Sequence, residues 1–271
     1  MSLRIQTNIE AYDAHRNLVH TQNQLSTSME RLSSGFRINR AADDAAGLAI
    51  SEKLNSQIGG LGQAMQNAQD AVSLVQTGEG ALAEVQSMLQ RVRDLAVQFN
   101  NGTLSASDQA AITSEVAQLC AEISDIGAQT AFNGINLLNG ASTITFQVGA
   151  NDGETMAVTS ASLFGSGASF SVDSTLFTFS GTVSLASVDA AIQNVSNQRS
   201  TLGSVQNRLD HRLNNISTYQ ENLQASLSRI KDVDMASEMV NFTKLQILNQ
   251  AGTSMLAQAN SAPQSVLTLL R

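Results

Sequence analysis

The sequence predicts a mainly α protein, a long antiparallel helical bundle or coiled coil carrying a small β-hairpin insertion. Three observations predict it. Apolar residues recur at alternating three- and four-residue steps over most of the chain, the pattern of packed helices. Proline occurs once, at Pro263, so little interrupts those helices. Trp is absent and aromatics are 4% of residues. Ala, Leu, Ile, Val and Met must then fill the core, which suits thin helical packing better than a thick α/β core.

The first helical block is expected over residues 4–33. Leu18, Gln22, Leu25, Met29, Leu32 and Phe36 form a heptad seam with one polar interruption, and Ser33-Ser34-Gly35 breaks it. The second block is expected over 44–100. Leu54, Ile58, Leu61, Met65, Ala68, Val72 and Val75 form one seam; Leu82, Val85, Leu89, Val92, Ala96 and Phe99 form another. Gly78 and Gly80 lie between them, where the spacing predicts a phase slip that distorts the supercoil. A helix of that length spans about 85 Å and must pack along its length to be stable. Asn101-Gly102 ends it, and Ser105 or Ser107 is placed to cap a third helix reaching about residue 128.

A non-helical island is expected over 132–181. Asn133-Gly134 and Asn139-Gly140 are turn dipeptides. Residues 143–148 and 154–159 alternate with period two around Gly149-Ala150-Asn151-Asp152-Gly153, which predicts a β-hairpin. A further β-like run covers 170–180. Helix resumes near 184. Val188, Val195, Leu202, Leu209, Ile216, Leu223 and Ile230 recur every seven residues without a miss, a strong coiled-coil signal. A last helix is expected over 233–260, with Pro263 leaving only a short turn at 265–270. Two long helices separated by a small island must return antiparallel. The first and last helices then carry apolar stripes with few partners in the single chain, as in a protein completed by assembly.

Composition removes several function classes. The net charge of −8 with scattered basic residues argues against a nucleic-acid binder. There is no run of 18 apolar residues for a membrane span, and the N-terminus lacks the apolar stretch of a secretory signal. Cys120 is the only cysteine, expected to be a buried thiol in an apolar-periodic stretch. His15, His20 and His211 form no metal or nucleophile constellation. HExxH, Walker A, GxGxxG and CxxC patterns are absent, so no cofactor and no enzymatic activity are expected.

Four stretches are recognisable. Residues 32–50 read Leu-Ser-Ser-Gly-Phe-Arg-Ile-Asn-Arg-Ala-Ala-Asp-Asp-Ala-Ala-Gly-Leu-Ala-Ile. The others are Gln-Arg-Val-Arg-Asp-Leu-Ala-Val-Gln at 90–98, Gln-Thr-Ala-Phe-Asn-Gly at 129–134, and the C-terminus from Asn241-Phe242 to Leu270-Arg271. Together they resemble bacterial flagellins over roughly 1–140 and 184–271, in a short form lacking large outer domains.

The resemblance implies a secreted subunit that self-assembles into the flagellar filament, as a homopolymer outside the cell. It implies a terminal helical domain at 1–36 and 234–271 lining the inner filament core. A helical core domain at 37–140 and 184–233 and a short β-rich surface insertion at 141–183 complete it. It also implies export through the flagellar type III apparatus, an export chaperone at the C-terminal helix, and contacts with cap and hook-junction proteins. Arg37, Arg40, Asp43 and Asp44 are expected to form a charged spoke between subunits; on their own they read as a solvated turn with Asp43 capping a helix. Arg91, Leu95 and Glu115 align with positions that a flagellin-sensing Toll-like receptor contacts, and Arg91 and Leu95, one turn apart, can share a face. Ser and Thr residues between 159 and 184 are candidates for O-glycosylation. The rival readings are the hook–filament junction protein, which shares both helical arms, and a chemoreceptor-like signalling rod, which would bring a membrane span.

Overall fold

The computed structural model describes residues 8–140, 143–159 and 184–269, the stretch 263–269 as backbone only. Among them are five helices: α1 (Ile9–Ser34), α2 (Ala45–Phe99), α3 (Ala106–Gln129), α4 (Leu185–Lys231) and α5 (Met235–Leu269). Two antiparallel strand pairs join them, β1 (Ala131–Phe132) with β2 (Ile135–Asn136) and β3 (Thr143–Gln147) with β4 (Thr155–Thr159). The β-like run at 170–180 lies outside the described residues. The chain divides into two compact units, 57–221 and 1–56 with 222–271.

In unit 57–221 the helices start and stop where their side chains dictate. Ser105 caps α3, and Asp108 returns the bond to the Ser105 backbone in a capping box, satisfying two donors at the helix start. Between β1 and β2, Asn133 (φ 48°) and Gly134 (φ 79°) are both left-handed, the backbone that a two-residue hairpin turn requires. In the second hairpin, Ile144 pairs with Val158 and Phe146 with Met156. These four point to one face, while the intervening residues are exposed.

Segments of α2 and α4 pair antiparallel in this unit: Arg93 contacts Asp189 at 2.6 Å and Arg199 contacts Glu79 at 3.3 Å. On α4, Val188, Val195, Leu202, Leu209 and Ile216 are buried, as the seven-residue recurrence predicts. On α2 the expected phase slip does not occur. The buried row runs Leu61, Ala64, Ala68, Ala71, Val75, Gly78, Leu82, Val85, Leu89, Val92, Ala96, Phe99, an unbroken alternation of three and four steps. Three small residues, Ala64, Ala71 and Gly78, hold seam positions that a search for large side chains passes over; Met65 and Val72 are only half-buried. Cys120 is a buried free thiol, and burial pushes its pKa up.

Gly78 leaves a small apolar void among Leu74, Leu82, Leu137, Leu138 and Leu202. A Cβ at position 78 would meet Leu202 Cδ1 at 3.7 Å and Leu137 Cδ1 at 3.8 Å, ordinary van der Waals contact. Gly78→Ala should therefore stabilise the protein by about 1 kcal/mol, through lower unfolded-state entropy and added contact. Denaturant titration checks it as a higher midpoint with an unchanged slope.

Candidate assembly site

The unit 1–56 with 222–271 is built on α1 and α5, which run antiparallel. Ser28 Oγ donates to Glu238 Oε1 at 2.5 Å near one end, and Asn8 Nδ2 donates to the Ala259 carbonyl at 2.8 Å near the other. Between them Gly252 admits Leu18, whose Cδ1 would lie 3.1 Å from a Cβ at 252.

The seam differs from the one predicted on α1. The covered row is Ala11, Ala14, Leu18, Thr21, Leu25, Ser28 and Leu32. Thr21 and Ser28, not Gln22 and Met29, are the companions of the leucines; Met29 and Phe36 are exposed. The facing row on α5 is Glu238, Phe242, Leu245, Asn249, Gly252, Leu256 and Ala259, again alternating four and three. Small and polar side chains share both rows with these leucines and Phe242, and the pairing leaves other apolar side chains of both helices uncovered.

That surface points outward instead. On α1, Tyr12 is 72% exposed, and Val19, seven residues on, lies on the same face and is also exposed. On α5, Val240 is 69% and Ile247 61% exposed, and Met239, Leu248 and Met255 lie open beside them. A helix that is apolar on opposite sides requires cover on both. A cluster of this kind on a water-facing surface marks an interaction site. Among the described residues no helix is long and apolar enough to cross a membrane.

The expected helix stop at Pro263 does not occur: α5 continues to Leu269. Proline withholds the N–H that would bond the carbonyl four residues back, here Ala259, and Asn8 supplies a donor to that carbonyl.

Arg37, Arg40, Asp43 and Asp44, expected to form a spoke, lie between α1 and α2, beside the connection from α4 to α5. These two connections are stitched by a bridge between Phe36 and Asp232: Arg37 N donates to the Lys231 carbonyl at 2.7 Å, and Val233 N to the Gly35 carbonyl at 3.0 Å. Gly35 (φ 75°) gives α1 its left-handed cap. Lys231 Nζ lies 4.8 Å from the centroid of the Phe36 ring, a cation–π distance. Arg37 Nη2 donates to the Ile230 carbonyl at 2.8 Å, and Arg40 pairs with Glu30 at 3.0 Å. The cap on α2 is Asp44, which accepts from Gly47 N at 2.9 Å; Asp43, predicted as the cap, instead closes the turn before it, accepting from Arg40 N and Asn39 N. Asp43 sits below the usual carboxylate range, chiefly through the Arg40 backbone N–H. Gly47 packs closely with no signal in the periodic pattern. A Cβ there would meet the Asp44 carboxylate and lie 2.6 Å from Ile38 Cδ1, so a larger residue in this first turn of α2 makes both side chains move.

Of the three residues expected to meet a receptor, Arg91 and Glu115 are brought together: Arg91 Nε and Nη2 donate to Glu115 Oε1 at 2.9 and 2.8 Å, on an exposed surface. Leu95 does not share that face. It is 2% exposed and belongs to the core, because it adjoins Val92 and Ala96 of the α2 seam.

Acid should weaken two of these local structures. Asp43, as above, and Asp108, through the Ser105 hydroxyl and then its backbone N–H, both sit below the ordinary carboxylate range. Carboxylates with lowered folded-state pKa stabilise the fold above that range and lose the effect as pH falls through the folded value. Backbone amides of Arg40 and of Ser105 should therefore shift in an NMR titration below about pH 4, and Asp43→Asn and Asp108→Asn should remove those inflections.

Comparison with known proteins agrees with these features. The bacterial flagellin N-terminal helical region matches residues 5–143, and the bacterial flagellin C-terminal helical region matches 185–270. The chain is 50% identical over 270 residues to a flagellin of Halalkalibacterium halodurans, covering 98% of this chain and 99% of that protein. It is 46% identical to a flagellar filament 33 kDa core protein of Treponema phagedenis, covering 98% and 99%. It is 45% identical to a flagellin of Bacillus subtilis, covering 99% and 100%. With both helical regions matched and relatives aligned over nearly their whole length, the chain belongs to the bacterial flagellin family.

Proposed function

We propose that the outward apolar faces of α1 and α5 are the surfaces through which this flagellin packs against its neighbours. The chain is a structural subunit of a bacterial flagellar filament and not an enzyme. The observation that carries the proposal is the exposure of Tyr12, Val240 and Ile247 on helices whose inner faces are already paired. Burying apolar area gains about 25 cal/mol per Å², so a repeated contact of this kind holds a polymer together. The test is seeded extension of purified chain, followed by electron microscopy. Long uniform filaments support the proposal; chain that leaves seeds unextended and caps hook or filament ends points to the junction protein, which the filament relatives do not favour.

The finer assignments follow from the same reading. Residues 1–36 and 234–271 form the inner tube, 37–140 and 184–233 the helical core, and 141–183 the outer insertion. Arg40, exposed and paired to Glu30 at the surface, is the spoke residue best placed to reach a neighbour, and Asp43 and Asp44 shape the turn that presents it. The subunit is exported to an extracellular filament, the C-terminal helix engages an export chaperone, and cap and hook-junction proteins meet the same helical arms. A Toll-like receptor would read Arg91 and Glu115 on the free subunit, with Leu95 supporting them from below. A reporter assay should respond to free subunit and lose response with Arg91→Ala; silence towards parent subunit removes this partner.

A further inference from the structure

A heptad seam of small and polar side chains specifies register weakly, because sliding one helix by seven residues presents a similar row. The α1–α5 seam is partly of this kind: Ala11, Ala14, Thr21 and Ser28 lie among Leu18, Leu25 and Leu32 on α1, and Asn249, Gly252 and Ala259 among Phe242, Leu245 and Leu256 on α5. Leu18 against Gly252 is one steric mark of register, and polar contacts add to it. Two polar contacts lie at opposite ends of the pair: Ser28 with Glu238, and Asn8 with the Ala259 carbonyl. From Asn8 to Ser28 is 20 residues, and from Glu238 to Ala259 is 21, so both close together in one register only.

The Asn8 contact is unusual in its chemistry. Asn8 Oδ1 accepts from Ala11 N at 3.1 Å and caps α1, while its Nδ2 donates to the Ala259 carbonyl at 2.8 Å. That carbonyl is the one from which Pro263, four residues on, withholds a backbone donor. We propose that Asn8 and Pro263 form a register lock: the proline frees one carbonyl on α5, and the carboxamide that starts α1 takes it. A slip that sets Asn8 against Gly252 meets a carbonyl already bonded within the helix, and a slip in either direction leaves the Ala259 carbonyl without its donor, which is costly in a partly buried site. The lock depends on α1–α5 pairing alone and is independent of what the pair goes on to build.

A double-mutant cycle tests it in the full chain. Asn8→Ser keeps a hydroxyl cap for α1 and loses the reach to Ala259. Pro263→Ala gives the Ala259 carbonyl a helical N–H. Hydrogen exchange is read on the amides of residues 12–18, in filaments where seeds extend and in the free chain where they do not; a failure to extend counts against the assembly reading only. Asn8→Ser should speed exchange of these amides about five- to tenfold with Pro263 present. In the Pro263→Ala background the same substitution should speed it less than about twofold. Amides of α3 should be unchanged throughout and serve as the control. An equal effect of Asn8→Ser in both backgrounds, no effect in either, or α1 amides without protection in the parent chain would each overturn the lock.

Discussion

The double substitution Val240→Asp and Ile247→Asp is expected to abolish filament growth while leaving unit 57–221 folded. Val240 and Ile247 are seven residues apart on one face of α5 and largely open to water in the single chain, so the carboxylates cost little there. Between packed subunits each would lie in an apolar contact, where an unpaired charge costs several kcal/mol. Two such penalties should raise the concentration needed for extension by at least about a hundredfold. Seeded light scattering measures this. Thermal melting of unit 57–221 should match the parent, separating lost assembly from lost folding. Extension at the parental concentration would show that this face does not meet a neighbour.

Leu209→Ala should have the largest effect on the fold itself. Leu209 is fully buried on the α4 seam, in the same core as Leu82, Val85 and Leu89 of α2. Truncating a leucine at such a site costs about 2–5 kcal/mol, from lost transfer free energy and the cavity left behind. At about 2–4 °C per kcal/mol for a unit of this size, the melting point should fall by roughly 5–15 °C. Circular dichroism melts check it. His211→Ala, two residues away and exposed, should shift the midpoint by less than about 2 °C.

The contrast between helices explains what the sequence can disclose. The α4 seam is readable because each repeat is marked by Val, Leu or Ile. The α2 seam reads as broken because Ala64, Ala71 and Gly78 occupy its positions. A periodicity search weighted towards large side chains registers a gap where the structure has a close approach. On α1 the same bias selects Gln22 and Met29 over Thr21 and Ser28. There Gln22 and Met29 face away from the intrachain partner, while Leu18, Leu25 and Leu32 face it.

The candidate site is legible in outline. Unpartnered apolar stripes on the first and last helices follow from the order of elements alone. Their orientation does not, because α5 is apolar on several sides and only the position of α1 decides which side is left open. Caps and turns are finer still. Asp43 and Asp44 are adjacent and chemically identical, and the backbone path between Asn39 and Gly47 assigns one to the turn and the other to the helix start. Leu95 is a neighbour of Arg91 in the sequence, but the helical phase set by Val92, Ala96 and Phe99 turns it inward. Pro263 reads locally as a helix stop. A residue more than 250 positions away supplies a donor to the carbonyl it leaves open.

The most direct test of the central claim is a helical reconstruction of filaments grown from this chain, read for the surroundings of Tyr12, Val240 and Ile247. All three should be buried against side chains of adjacent subunits, with α1 and α5 paired in the register set by Ser28–Glu238 and Asn8–Ala259. Filaments in which these residues face water, while other surfaces carry the subunit contacts, would contradict it.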